Sequence, residues 1–215
     1  KHANLAKLSP PRMQNVLLRE RLFDKLDSLA NFPVIWISAP GGAGKTVLAA
    51  SYLQQSQRNY IWYQVDDGDN DPAAFFGFLE NAMQAHHASG SVRLPVFVPE
   101  YSEGIAAFSR NYSRKLYEHL GEGGFLVLDN FQDLSADSAT HQVIKQFIAE
   151  IPPGINLLVL SRSGPVKDYL RYRANGSIAV LDRQDIALTE QESNEICQAR
   201  LQTTKKRESR QSRGE

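Results

Sequence analysis

The chain alternates short apolar runs with longer segments in which apolar residues recur every three to four positions. Apolar runs of five or six residues predict strands, and those in the middle of the chain are nearly continuous in apolar residues, as parallel strands covered on both faces are. The predicted strands are "VIWIS" at 34–38, "YIWYQV" at 60–65, "FLVLD" at 125–129, "NLLVLS" at 156–161 and, with a weaker pattern, "SIAVL" at 177–181.

Helical periodicity separates these runs. It predicts helices at 19–30, 45–56, 72–86, 103–119 and 138–150. Strands that alternate with helices indicate a parallel sheet, so the predicted fold class is α/β. The chain shows no internal repeat.

Length, charge and cysteine content limit the classes of protein that need to be considered. A chain of 215 residues fits one large domain with at most a small appendage, and 24 basic residues balance 24 acidic ones, so charge gives no case for nucleic-acid binding by the whole domain. Cys197 is the single cysteine, which excludes an internal disulfide and suits a reducing compartment. No apolar stretch approaches the roughly 18 residues of a membrane span, and the first residues lack a signal-peptide core. We therefore expect a cytoplasmic protein without a membrane partner.

The two ends differ in composition from the middle. Residues 1–18, with "KLSPPR", predict an extended lead-in stiffened by proline, and residues 19–196 form the predicted globular domain. Residues 197–215 end in "TTKKRESRQSRGE", which is polar and charged and predicts a disordered start of a linker. A basic tail could touch nucleic acid, but a solvated end is the simpler interpretation.

The segment "SAPGGAGKTVLAA" at 38–50 carries the clearest chemistry. Its glycines allow backbone N–H groups to point inward at an anion, Lys45 offers a charge to the β- and γ-phosphates, and Thr46 offers a hydroxyl to Mg²⁺. The helix that begins there adds its positive end. The candidate binding residues of the loop are Pro40, Gly41, Gly42, Ala43, Gly44, Lys45, Thr46 and Val47.

The spacing matches the phosphate-loop pattern G-x-x-x-x-G-K-[ST] except at its first position, where Ala39 replaces glycine. An ordinary glycine-rich turn would explain the composition as well. The position between a buried strand and a helix favours the phosphate loop, because the motif requires that context.

Two later strands end in residues that suit a phosphate site. "GGFLVLDNFQDL" ends its apolar run in Asp129, where an aspartate that holds Mg²⁺ is expected. "NLLVLSRS" ends in Ser161 and Arg162, and an arginine there would reach a γ-phosphate if its strand lies beside the phosphate-loop strand. A turn aspartate and a surface arginine are the structural alternatives.

The acidic segment "DDGDND" superficially suggests a calcium loop. The pattern fails because Pro72 stands where the loop glycine belongs and Phe78 where the bidentate glutamate would be. We interpret Asp71 instead as a helix cap with Pro72 in the first turn. Phe75, Phe76, Leu79, Ala82 and Met83 form the predicted apolar face of that helix.

Six segments in order resemble the nucleotide-binding domain of MalT-like, LuxR-type transcriptional activators, which are signal-transduction ATPases with numerous domains. The resemblance spans about residues 7–196. The segments are "KLSPPR" with "LLRERLFDKL", "ISAPGGAGKT", "VDDGDNDPAAFFGFL", "LVLDNFQDL", "LLVLSRSGP" and "LDRQDIALTEQES". Together they are far more specific than the phosphate loop alone.

The resemblance implies a fold, ligands and roles for particular residues. It implies a P-loop NTPase three-layer sandwich with a five-stranded sheet in the order 5-1-4-3-2, and ATP or ADP with Mg²⁺ as ligands. It places Arg19 near the base, Gly44, Lys45 and Thr46 at the phosphates and metal, Asp129 on Mg²⁺, and Arg162 as a sensor of the γ-phosphate.

One position departs from the family pattern. A second acidic residue usually follows the metal-binding aspartate and is taken to activate the attacking water, whereas here that position is Asn130. An amide can orient water but cannot accept a proton, so efficient hydrolysis is not expected. Asp133 and Glu122 are the nearest acidic residues that could substitute.

Three functions remain open from the sequence. The first is an ATP-driven regulatory switch with slow hydrolysis, and the second is a nucleotide-binding regulator without turnover. The third and weakest is a small-molecule phosphotransferase, for which Arg162, Arg171 and Arg173 could imitate a lid. The resemblance implies self-association or contact with downstream regulatory domains, and DNA binding only through a domain absent from this chain.

Overall fold

The computed structural model describes residues 6–13, 16–86 and 92–198. It contains a five-stranded sheet in the order β2-β3-β4-β1-β5, and every pair of neighbouring strands is parallel. The strands are β1 (Val34–Ser38), β2 (Tyr60–Gln64), β3 (Phe125–Asp129), β4 (Asn156–Ser161) and β5 (Ile178–Leu181). This order is the expected 5-1-4-3-2 seen from the other edge, so the α/β class and the strand order are confirmed.

The pairing places β4 between the phosphate-loop strand and the strand that ends in Asp129. In the register of β1 and β4, Ser38 lies opposite Ser161, and the pairs between β3 and β4 run up to Leu128 opposite Val159. The carboxyl ends of these three strands therefore lie side by side at one edge of the sheet. In open parallel sheets this edge is where ligands bind.

Helices cover both faces of the sheet. The helices are α1 (Glu20–Ser28), α2 (Lys45–Gln55), α3 (Pro72–His86), α4 (Ile105–Leu120), α5 (Thr140–Ala149) and α6 (Leu170–Ala174). The first five match predicted helices, with ends that differ by one or two residues, as helix termini commonly do. The sequence interpretation missed α6, which at five residues is too short to show a helical period.

Residues 190–198 also form a helix that was not predicted. Thr189 and Glu192 close a capping box at its start: the Thr189 N–H donates to Glu192 Oε2 at 2.9 Å, and the Glu192 N–H donates to Thr189 Oγ1 at 3.1 Å. The pattern T-x-x-E in "LTEQES" is a recognised helix-start signal and could have found it.

The strands bury both of their faces, so the sheet is the middle of three layers. Along β1, Val34 and Trp36 pack into one core with α3, α4 and α5, whereas Ile35 and Ile37 pack into the other with α1 and α2. This alternation follows from the two-residue period of a strand, and the near-continuous apolar runs follow from burial on both sides. The predicted three-layer sandwich is confirmed.

The helix after the acidic segment begins as predicted. Asp71 Oδ1 accepts a hydrogen bond from the Ala73 N–H at 3.0 Å, and α3 starts at Pro72. Its buried residues are Phe75, Phe76, Leu79, Ala82 and Met83, the five that the periodicity assigned to its apolar face.

Asp69 explains why the acidic segment is so polar. It is fully buried in the 3-10 turn Asp67–Asn70, where its carboxylate accepts hydrogen bonds from Tyr63 Oη at 2.6 Å and from the Asp66 N–H at 2.8 Å. Lys7 Nζ donates to the same carboxylate at 2.8 Å and lies 2.6 Å from Asp66. The segment therefore holds a counter-ion for a lysine of the lead-in, a role that the sequence interpretation did not identify.

The lead-in consequently differs from the extended form that was expected. Ala6–Leu8 form a 3-10 turn, and Lys7 lies over the rings of Tyr63 and Phe78. The ion pair fixes this turn against β2, the edge strand of the sheet. The expected disorder of the tail falls almost entirely on residues 199–215, which lie outside the described residues.

We predict that Lys7→Met lowers the free energy of unfolding by about 3–5 kcal/mol, because it leaves the buried Asp69 carboxylate without its cation. Urea denaturation at neutral pH measures this loss. Lys115→Met is the matched control, since Lys115 and Glu118 form an exposed ion pair whose removal is expected to cost less than about 1 kcal/mol. Equal losses in the two variants would contradict the role of Lys7.

Candidate functional site

The loop between β1 and α2 has the backbone of an anion cradle. Gly42 and Gly44 adopt left-handed conformations with φ of 77° and 84°, which other residues adopt only with strain. A Cβ at Gly41, Gly42 or Gly44 would meet nothing within 4 Å, so the loop is not crowded at these positions. Gly44 is the N-cap of α2 and supplies no side chain to the first-turn N–H groups, which are left to bind an anion.

Most of the predicted loop residues are accessible. Pro40, Gly41, Gly42, Gly44 and Val47 are exposed, and Ala43 and Thr46 are half-buried. Ala39, by contrast, is buried in the core beneath the loop and donates its N–H to the Ser161 carbonyl at 3.2 Å. Alanine at the first motif position is therefore compatible with the loop, because its methyl group contributes to the core.

Lys45 lies under the loop with its charge held close to the backbone. Its side chain donates to the Ala39 carbonyl at 2.6 Å and to the Pro40 carbonyl at 3.1 Å. Burial lowers the pKa of Lys45, the nearby Asp129 carboxylate opposes this shift, and the positive charge of Arg162 adds to it. The charges of Asp129 and Arg162, two other predicted site residues, thus affect the pKa of Lys45.

Thr46 and Asp129, the two predicted metal ligands, are in direct contact. Thr46 Oγ1 donates to Asp129 Oδ1 at 3.2 Å, and the Asn130 N–H donates to the same oxygen at 2.9 Å. Burial raises the pKa of Asp129, and the two hydrogen bonds and the Lys45 charge only partly offset it. A hydroxyl beside a carboxylate at a phosphate cradle is a suitable donor set for Mg²⁺, so these two residues would hold the ion.

Arg162 is exposed immediately after β4. Its backbone N–H donates to Gln132 Oε1 at 3.0 Å, which ties the loop after β4 to the turn after β3. Gln132 was not among the predicted site residues. Its type and its distance from Asp129 carry no signal that sequence reasoning could have used without the strand order.

Asn130 begins the turn after β3 in a left-handed conformation with φ of 58°, which asparagine tolerates better than most residues. Its side chain is exposed. Asp133, in the same turn, accepts a hydrogen bond from Gln132 Nε2 at 3.1 Å, and its charge contributes to the raised pKa of Asp129. Glu122 lies against Gly154 in the segment before β3, at the opposite end of that strand.

Arg19 is held by the segment that follows β5. One guanidinium nitrogen, Nη2, donates to the Ile186 carbonyl at 3.0 Å, to the Ala187 carbonyl at 2.9 Å and to Glu192 Oε2 at 3.0 Å. Burial opposes ionisation of Glu192, but hydrogen bonds from Arg19, the Thr189 N–H and Arg21 lower its pKa to about 2. The described hydrogen bonds of the Arg19 side chain are with this segment, and its role near a base stays a prediction.

The chain is similar to one segment of known regulators. It is 31% identical over 203 residues to the HTH-type transcriptional regulator MalT of Yersinia enterocolitica, 29% over 199 residues to that of Serratia proteamaculans, and 32% over 206 residues to that of Yersinia pestis. Each alignment covers 91% of this chain, which spans 22% of the length of these relatives. The resemblance to MalT-like regulators is confirmed.

The other comparisons give no further information on the family or the fold. No family model matches the chain. Among solved structures, a chain of the Drosophila ORC bound to AT-rich DNA and Cdc6 matches with a TM-score of 0.44 and 14% identity, over 77% of this chain and 55% of that one, which is too weak to bear on the fold. In the ranges 6–13, 16–86 and 92–198, no helix is both long and apolar enough to cross a membrane.

We predict that Asp129→Asn raises the free energy of unfolding at neutral pH by about 0.5–2 kcal/mol, because it removes a buried charge and keeps an acceptor for Thr46 and for the Asn130 N–H. The gain should shrink as the pH falls through the raised pKa of Asp129, since the parent carboxyl then becomes neutral as well. Urea denaturation at two pH values measures it. Asp137→Asn is the control at an exposed position, and a loss of stability in Asp129→Asn would show that the charge itself stabilises the fold.

Proposed function

We propose that this chain, a relative of the MalT-type transcriptional regulators over 91% of its length, is a regulatory domain that binds Mg-ATP or ADP and hydrolyses ATP slowly. The observation that carries the proposal is the convergence of the open glycine loop with Lys45, the Thr46–Asp129 pair and Arg162 at one edge of the sheet. Each of these groups has a separate task toward a nucleotide.

The loop and Lys45 would bind the phosphates. The free N–H groups at the start of α2 offer hydrogen bonds, and the glycine conformations leave room for a phosphate to approach the backbone. Lys45 now donates to two carbonyl oxygens of its own loop. Exchange of these neutral acceptors for phosphate oxygens would give the ammonium group partners of opposite charge, which are stronger acceptors.

Thr46 and Asp129 would hold Mg²⁺, which neutralises phosphate charge when it is bound. Burial raises the pKa of Asp129, which means that the site imposes a cost on the charged carboxylate. A cation at this position offsets that cost. Arg162, whose charge already influences Lys45, would contact the γ-phosphate and so distinguish ATP from ADP.

Slow turnover follows from Asn130. Phosphoryl transfer to water depends mainly on positioning and electrostatics, which Lys45 and Arg162 can supply. The exposed amide of Asn130 can orient a water molecule but cannot take its proton. Asp133, the acidic residue on the same side of the sheet, already accepts a hydrogen bond from Gln132.

A regulator without any hydrolysis is the second candidate, and the same observation at Asn130 favours it. Under either function, the nucleotide state would be passed to other parts of a longer regulator, by self-association or by contact with downstream domains. DNA binding would belong to those other parts, consistent with the name of the HTH-type relatives.

We predict that the parent protein binds Mg-ATP but converts little of it in a single-turnover assay, and that Asn130→Asp raises the rate by at least about tenfold, because general-base help is worth about 10²–10⁴-fold where geometry permits. Asp133→Asn keeps the acceptor for Gln132 and is the matched control, with a rate close to that of the parent. Fast hydrolysis by the parent that Asn130→Asp leaves unchanged would show that the base lies elsewhere.

A further inference from the structure

Gln132 connects two parts of the site that the sheet itself leaves unconnected. The ladder between β3 and β4 ends at Leu128 and Val159, before the turn at residues 130–134 and the loop at residues 162–166. In the described part of the chain, the bond from the Arg162 N–H to Gln132 Oε1 is the one hydrogen bond between that turn and that loop.

The residues beside Gln132 and Arg162 are anchored in the core. The Phe131 ring packs edge-on against Trp36, with ring centres 5.0 Å apart, and against Tyr169 at 5.8 Å. Trp36 Nε1 donates to the Ser163 carbonyl at 2.9 Å. The Trp36 indole therefore contacts the turn through its ring and the loop through its N–H. The hydrogen bond between Gln132 and Arg162 joins two segments that Trp36 already holds close together.

The Gln132 amide has a defined orientation. Its oxygen accepts from the Arg162 N–H, and its nitrogen donates to Asp133 Oδ1 at 3.1 Å, so both ends of the half-buried side chain are engaged. The contact is to the backbone of Arg162, which leaves the guanidinium free for another partner. Its positive charge contributes to the lowered pKa of Lys45, as expected for loops that leave neighbouring strand ends.

We propose that Gln132 is a positioning residue for recognition of the third phosphate: it fixes the backbone of Arg162 relative to the turn that follows Asp129. This inference rests on the proposed function. Without the bond, the loop after β4 gains freedom that must be lost again when Arg162 contacts a γ-phosphate. Because ADP lacks that phosphate, the cost falls on ATP binding and not on ADP binding.

The test compares Gln132→Met, which keeps the length of the side chain and removes both hydrogen bonds, with the parent protein. Calorimetric titration with Mg-ATP and with Mg-ADP gives the ratio of the two affinities. We expect the preference for ATP to fall by about two- to tenfold, the range for loss of one hydrogen bond. In an Arg162→Ala background, Gln132→Met should leave the ratio unchanged, and Gln142→Met, at an exposed position of α5, is the control for an added methionine.

Hydrogen exchange without nucleotide supplies a second measurement. The Arg162 amide should exchange faster in Gln132→Met, and protection in the strands should be unchanged, which also shows that the variant is folded.

The outcomes separate the two proposals. If the parent binds neither nucleotide, the proposed function fails and this inference fails with it. If the parent binds both but shows no preference for ATP, the role of Arg162 toward the γ-phosphate fails together with this inference, while nucleotide binding stands. If Gln132→Met retains the parent's ratio, the inference alone is overturned. Exchange of the Arg162 amide at the parent's rate in Gln132→Met also overturns it.

Discussion

The parallel pairing of β4 with β1 on one side and β3 on the other is the constraint on which the site depends. It aligns three strand ends, from which the phosphate loop, the turn with Asp129 and the loop with Arg162 emerge. Each segment is then fixed by short-range contacts: Ala39 to Ser161, Thr46 to Asp129, and Gln132 to Arg162. If β3 paired directly with β1, the loop that carries Arg162 would no longer begin between the ends of β1 and β3.

Two buried aspartates, Asp69 and Asp129, have different electrostatic surroundings. Asp69 is compensated by Lys7, Tyr63 and a backbone N–H, and it serves to hold the lead-in against the edge strand. Asp129 is buried, forms no ion pair with a cation among the residues that the structure describes, and has a raised pKa. The first arrangement gives a buried carboxylate a cation and two hydrogen-bond donors, whereas the second disfavours the charged form of the carboxyl, which a bound cation would favour. Such local costs are typical of functional sites.

Much of this structure could be predicted from the sequence because its signals are local. The apolar runs located the strands, and the glycine loop with Lys45 and Thr46 marked the start of α2. The position of Asp129 and Arg162 at the ends of predicted strands marked them as candidate site residues. The order of the strands came from the family resemblance, since periodicity alone does not say which strands are neighbours.

The features that were missed depend on contacts between residues distant in sequence. The bond between Lys7 and Asp69 joins residues 62 positions apart, and that between Gln132 and Arg162 joins residues 30 apart. No composition or spacing rule indicates either pair. Likewise, the ion pair between Arg19 and Glu192 links the two ends of the domain, and only the folded structure shows it.

The most direct test of the account is a calorimetric titration of nucleotide-free protein with ATP and Mg²⁺, comparing the parent with Lys45→Ala. Lys25→Ala, at an exposed position on α1, is the control. The account predicts binding by the parent and by the control, and an affinity about ten- to a hundredfold lower for Lys45→Ala, because one charge-assisted contact is lost. Equal affinity in Lys45→Ala and the parent, or no binding by the parent, would contradict it.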